Sequence, residues 1–288
     1  MPIVYLNGEY VDLSAAKVSV EDRGFLFADG VYEVVRYYSG HAFCLKEHLS
    51  RLAYSAAGAY LSLPDAVRDL PHIMERVLSD SSPSENGEVY IQCTRGVAHP
   101  RGHPFPRKTE PTLLVMPIPL HAPPEKALSE GLSVITTPDL RWGRCDIKST
   151  MLLPNVTAKQ HAREQGAFEA IFVRDGIITE GASTNVFAVI DGCLTTHPAD
   201  RAVLGGISRR VVLELARGLG LETCEAHFTV EQLRSSQEVL LSSTTIEVLP
   251  VTHTDGQPIG DGRPGAIAMR LYEAFQKLTA SLRESEDS

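Results

Sequence analysis

Residues 168–197 read FEAIFVRDGIITEGASTNVFAVIDGCLTTH. Apolar runs alternate with Asp175-Gly176 and Asp191-Gly192, dipeptides that accept the positive φ of tight hairpin turns. The stretch reads as a meander of strands. It runs into GGISRRVVLELARGLG, residues 205–220, a helical spacing of apolar positions with glycines at both ends. Upstream, LSVITT (132–137) reads as a strand and LPNVTAKQHAREQG (153–166) as a helix. Downstream, IEVLPVTHTDGQPIG (246–260) reads as a hairpin and GAIAMRLYEAFQKL (265–278) as a helix. Strands follow strands without strict βαβ alternation, which predicts an α+β fold rather than a doubly wound parallel sheet.

The first half has the same mixed character. VYLNGEYV (4–11) is a hairpin turning at Asn7-Gly8, and GVYEVVRYYSGHAFCL (30–45) turns at Ser39-Gly40. KEHLSRLAYSAAGAYLSL (46–63) predicts a helix with Leu49, Leu52, Ala53, Ala56 and Ala57 on one side. DAVRDLPHIMERVLSD (65–80) reads as a second helix despite Pro71, and GEVYIQCTRG (87–96) and TLLVMPIPL (112–120) as strands. Tandem Pro123-Pro124 cannot continue a ladder. A boundary is expected there, with a smaller N-terminal domain over 1–120, a linker over 121–127 and a larger C-terminal domain over 128–288.

The bulk composition narrows the function classes. Of 288 residues, 43% are apolar and 22% charged, as in soluble globular proteins. No apolar run is long enough to span a bilayer, and no secretory signal is visible at the start. A net charge of −9 argues against nucleic acid as a partner. Five scattered cysteines without a Cys-x-x-Cys suggest reduced thiols in a cytoplasmic protein, neither a disulfide framework nor a zinc site. GDGRPG (260–265) formally fits a dinucleotide fingerprint, but no buried strand leads into it and Pro264 interrupts it.

Chemistry gathers in RWGRCDIKST, residues 141–150. Lys148 is set between Ile147 and Ser149, and Arg141 and Arg144 are positioned to add cationic pressure on its amine. A lysine that is desolvated or crowded by cations has its neutral amine available to attack a carbonyl. Spacing alone leaves this open, since exposed lysines are common. An aldehyde cofactor such as pyridoxal 5′-phosphate (PLP) also needs an acidic partner for its ring nitrogen and donors for its phosphate. Glu180, at the end of an apolar strand, and the helix start at Gly206-Ile207-Ser208 offer both. Each alone is equally compatible with a turn residue and a plain helix entry.

The extended run EGASTNVFAVIDGCLTTHPADRAVLGGISR (180–209) resembles the signature of the class IV aminotransferases, the fold-type IV PLP enzymes. Glu180, Asn185, Phe187, Thr196, Leu204, Gly206, Ile207 and Arg209 fall at that family's spacings. The resemblance extends to EDRGFLFADGVYEVVR (21–36), EHLSRL (47–52), the lysine segment and LSSTTIEVLPV (241–251). It implies a two-domain α+β fold whose C-terminal domain has a β-barrel-like core. It also implies Lys148 as the Schiff-base lysine, Glu180 at the pyridine nitrogen, and a phosphate site from Arg51, Gly206, Ile207, Ser208, Ser243 and Thr244.

Within the family, TRGVAHPRGHPFP (94–106) places Arg101 and His103 on a proline- and glycine-rich loop. A similar Arg-x-His loop, with a tyrosine matching Tyr32, holds the substrate carboxylate in the D-amino-acid group, where it reaches into the neighbouring subunit's site. Taken alone, the two residues also suit solvated loop charges. The resemblance implies ping-pong transamination between D-amino acids and 2-oxo acids by a homodimer with active sites near the subunit interface. Branched-chain L-amino-acid transaminases, (R)-amine transaminases and aminodeoxychorismate lyases are the alternatives on this fold.

Overall fold

The computed structural model describes residues 2–81, 86–120 and 123–282; His121 and Ala122 of the expected linker lie outside the described residues. The chain divides into two units. One is built on Met1–Leu120 and takes in Ile147–Met151; the other is built on His121–Asp146 and Leu152–Ser281.

The first unit contains β1 (Ile3–Leu6), β2 (Glu9–Asp12), a short helix α1 (Arg23–Phe27), β3 (Gly30–Tyr38) and β4 (His41–Ala42). These are followed by α2 (Leu45–Gly58), α3 (Leu70–Ser79), β5 (Gly87–Thr94) and β6 (Thr112–Ile118). The strands form one antiparallel sheet in the order β2-β1-β6-β5-β3-β4. Its turns sit where the dipeptides predict them, with Asn7, Gly8, Ser39 and Gly40 all at positive φ. Pro71 is tolerated because the α-helix begins only at Leu70, so the ring falls in the first turn, where no N–H is needed.

Strand β3 alternates strictly, burying Val31, Glu33, Val35 and Tyr37 on the face that packs against Leu52 and Ala56 of α2 and Ile73, Met74 and Val77 of α3. One sequence expectation needs correction here. Leu52 and Ala56 are buried, but Ala53 and Ala57 are exposed, and His48 and Ser55 complete the buried stripe of α2. The reason is polar: Glu33 and the Lys148 backbone supply partners for those two side chains.

The second unit carries β7 (Leu132–Pro138), α4 (Leu153–Glu164), β8 (Glu169–Arg174), β9 (Ile177–Gly181), β10 (Asn185–Ile190) and β11 (Cys193–Thr196). It continues with α5 (Ile207–Gly218), β12 (Thr223–Glu225), α6 (Val230–Ser235), β13 (Glu238–Ser243), β14 (Glu247–Thr254), β15 (Gln257–Pro258) and α7 (Ala266–Ser281). Its curled sheet runs β12-β11-β10-β13-β14-β7-β8-β9, with β15 on β14. Both faces are covered: Ile171 of β8 joins one apolar cluster while its neighbours Ala170 and Phe172 join another beside α4. The fold is mixed α+β, as the strand-rich meander predicts. No helix among the described residues is long and apolar enough to cross a membrane.

The cysteine expectation is overturned at one pair. Cys193 and Cys224 form a disulfide with their Cα atoms 6.2 Å apart. Parallel pairing of β11 with the three-residue β12 sets Thr195 opposite Cys224. The two cysteines are 31 residues apart in the chain, so no local spacing announces the contact. Cys44, Cys93 and Cys145 carry thiols.

Candidate active site

Lys148 belongs to the first unit because its segment is stitched to the start of β3. Val31 and Ser149 form an antiparallel bridge, the Lys148 carbonyl accepts from Tyr32 N (3.0 Å), and Thr150 N donates to the Gly30 carbonyl (3.0 Å). Lys148 N donates to Ser55 Oγ (3.0 Å), and Ile147 is 3% exposed in the core. Burying that isoleucine stabilises the anchor by roughly 2 kcal/mol. The backbone on both sides of the lysine is therefore fixed, and its half-buried side chain holds Nζ 4.3 Å from the Tyr32 ring centroid. Tyr32 in turn stacks on Tyr90 at 5.5 Å.

Beside Tyr32 on the core-facing side lies Glu33, fully buried. It accepts from Arg51 Nε (2.7 Å) and Nη2 (2.9 Å) and from His48 Nδ1 (2.8 Å). Burial by itself would raise the Glu33 pKa, but the Arg51 charge and bond, the His48 bond and the Lys148 charge outweigh it and bring it to about 2. His48 is shifted down, chiefly by burial and against the pull of Glu33. A carboxylate only accepts, so the His48 proton sits on Nδ1. Glu33 was absent from the sequence reading of the site. Its signal is a charged residue at the inward parity of an otherwise apolar strand, between Val31 and Val35.

Arg101 and His103 are both exposed and gather on one ring, Phe27: the Arg101 guanidinium is 4.4 Å from its centroid and the His103 ring 5.4 Å.

Glu180 is the penultimate residue of β9 in the second unit and is 6% exposed. It accepts from Leu204 N (3.0 Å), Asn185 Nδ2 (3.2 Å) and Arg141 Nη1. Three converging donors favour an ionised carboxylate. Arg141 also binds Asp139 Oδ1 and Oδ2 (2.9 Å each) and the Ala202 carbonyl (3.2 Å). Burial opposes its charge, but Asp139 and Glu180 more than offset that and raise its pKa. Arg141 and Arg144, expected to press on Lys148, are thus each matched by acids; Arg144 pairs with Asp146 at 2.8 Å. Trp142, in the same segment, is 38% exposed.

Asn185 links Glu180 to the start of α5. Its Nδ2 also donates to the Leu204 carbonyl (3.0 Å), and a Cβ on Gly206 would fall 1.9 Å from its Oδ1. Only glycine permits this approach. Gly206 is the N-cap of α5, without a side-chain cap bond, and Ser208 in the first turn is buried. Asn185 lies opposite Ser242 across β10 and β13, so Ser243 and the half-buried Thr244 sit at the same sheet end as Gly206. Backbone donors at a helix N-terminus with hydroxyls close by suit an anionic phosphate, so the residues present fit PLP.

The pattern described as amino-transferase class IV matches residues 30–254, and the chain belongs to that family. D-alanine aminotransferase from Staphylococcus epidermidis is 43% identical over 281 residues, covering 98% of this chain and 99% of its own. The enzyme of the same name from Listeria monocytogenes is 41% identical over 288 residues, covering 98% of each chain. Among solved structures, the branched-chain amino acid aminotransferase of Escherichia coli superposes with a TM-score of 0.89 at 28% identity, over 96% of this chain and 94% of that one. A hypothetical aminotransferase from Mycobacterium tuberculosis in a PLP-bound form gives 0.82 at 25% identity, over 97% of this chain and 99% of that one.

Proposed function

We propose that this chain transfers amino groups between D-amino acids, such as D-alanine and D-glutamate, and 2-oxo acids, such as 2-oxoglutarate and pyruvate, in a PLP-dependent ping-pong reaction. The observation that carries the substrate choice is the full-length 43% identity with a D-alanine aminotransferase, against 28% with the branched-chain enzyme of the same fold.

When bound, PLP supplies an aldehyde that accepts the amino group and a ring that withdraws electrons from the substrate's α-carbon. Lys148 contributes the amine that holds this aldehyde at rest. With the cofactor and substrate bound, Lys148 Nζ would serve as the general base that takes the substrate's α-proton. Glu180 keeps a proton on the pyridine nitrogen, and Arg141 and Asn185 hold that carboxylate in place. Gly206 and Ile207 N–H groups, the hydroxyls of Ser208, Ser243 and Thr244, and Arg51 hold the phosphate. Glu33 sets the Arg51 guanidinium through two bonds. Tyr32, Arg101 and His103 receive the substrate carboxylate, for which the fork of arginine is suited. The chain acts as a cytoplasmic homodimer with active sites near the subunit interface.

The test is a half-reaction without acceptor: D-alanine, L-leucine and (R)-1-phenylethylamine are each mixed with holoenzyme while the cofactor's visible absorption is followed. D-alanine should convert it fastest. Faster conversion by L-leucine or by the amine overturns the substrate assignment.

A further inference from the structure

We propose that Arg23 and Phe27 are positioning residues that hold the Arg101–His103 loop in the arrangement that captures a substrate carboxylate. The proposal rests on the reading that Arg101 and His103 receive the carboxylate. Arg23 is 4% exposed, an unusual setting for a cation. Its Nε pairs with Asp29 Oδ2 (2.7 Å), and the rest of the guanidinium faces the loop backbone. Nη1 donates to the Gly102 carbonyl (2.6 Å) and Nη2 to the His103 carbonyl (3.1 Å). These carbonyls lie between and at the two loop residues assigned to the carboxylate. A buried fork thus fixes the backbone from which the Arg101 and His103 side chains project.

Phe27 fixes the side chains. Arg101 lies over its ring at 4.4 Å, and the Arg23 guanidinium is 4.9 Å from the same centroid. His103 meets the ring at 5.4 Å. An exposed arginine ordinarily samples many rotamers; attraction between its guanidinium and an aromatic face selects a few of them. The platform is itself rigid. Asp22, fully buried, caps α1 by accepting from Gly24 N (2.7 Å) and also accepts from Thr94 Oγ1 (2.8 Å) and Thr112 Oγ1 (2.6 Å). Asp29, past the other end of α1, is shared with Arg95 (2.8 Å). Burial would raise the Asp29 pKa, but the Arg95 and Arg23 bonds lower it, so the anion persists at neutral pH. Helix α1 therefore carries Arg23 at one end and Phe27 at the other, held by two separate carboxylates, the buried Asp22 and the partly buried Asp29.

This geometry predicts a defect in carboxylate capture. Steady-state kinetics with D-alanine would be compared for wild type, Arg23→Gln, Arg23→Lys, Phe27→Leu, Arg101→Ala and the double variant Phe27→Leu/Arg101→Ala. Phe27→Leu and Arg23→Gln should each raise KM at least about ten-fold with a smaller change in kcat, since small misplacements of binding groups are costly. Arg23→Lys should recover part of the loss. The double variant should lose less than the sum of the two single losses, because Phe27 acts through Arg101 and keeps only its hold on His103 once that arginine is gone. Phe27→Leu leaves the Asp29 pair intact, so the test stands even if Arg23→Gln fails to fold. If Arg101→Ala raises KM while Phe27→Leu does not, or if the two losses add in the double variant, the positioning role is overturned alone. If Arg101→Ala leaves KM unchanged, the carboxylate reading falls and takes this proposal with it.

Discussion

Replacing Glu33 by glutamine should destabilise the protein at neutral pH far more than at acid pH. Glu33 has no solvent exposure, and its carboxylate is bound by Arg51 and His48. Its pKa falls from an ordinary 4.5 to about 2 in the fold. At 1.36 kcal/mol per unit, that difference corresponds to about 3 kcal/mol of folding free energy. The folded pKa lies below the unfolded one, so the contribution is complete above about 4.5 and is lost as pH falls through that value towards 2. Glutamine mimics the protonated carboxyl and leaves Arg51 facing a neutral amide, so the variant should lose about that amount, of the order expected when one partner of a buried pair is removed. Urea unfolding of both proteins at one protein concentration, at pH 7 and at steps below pH 4.5, measures the difference. The gap should be about 3 kcal/mol at pH 7 and narrow on acidification. A variant within about 0.5 kcal/mol of wild type at pH 7, the range of an ordinary surface change, would refute the reasoning.

Three further outcomes are expected. Gly206→Ala places a methyl 1.9 Å from Asn185 Oδ1; cofactor titration should show affinity reduced at least about ten-fold, as Asn185 loses its bonds to Leu204 and Glu180. Arg141→Met leaves Glu180 and Asp139 without their shared cation, and denaturation should show a loss of about 3–5 kcal/mol. Protein denatured without reductant should titrate three thiols, and all five only after reduction; five without reductant would show Cys193 and Cys224 unlinked.

Local chemistry made much of the architecture legible. Asn7-Gly8, Ser39-Gly40, Asp175-Gly176 and Asp191-Gly192 each adopt positive φ between paired strands, because the backbone demand and the residue types coincide within two positions. The strand that carries Glu180 and the helix entry at Gly206 were legible for a related reason, since both are written in adjacent apolar patterns, whereas the roles of the two residues came only from the family resemblance. What stayed hidden depends on contacts between distant segments. Which face of α2 is buried was decided by Glu33 and the Lys148 backbone, which no helical periodicity contains. Helix α6 spans six residues and rests on a capping box of Thr229 and Gln232, too short to show an apolar period. One of the two acids that Arg141 binds, Glu180, is 39 residues away, so the arginine's charge read as pressure on the nearby lysine instead of support for Glu180.

The most direct measurement is borohydride reduction of the holoenzyme, followed by proteolysis and mass spectrometry of the peptides. The pyridoxyl group should be found on Lys148 and vanish from that peptide in Lys148→Ala, with transaminase activity lost. Label fixed on another lysine, or an active Lys148→Ala enzyme, would contradict the account.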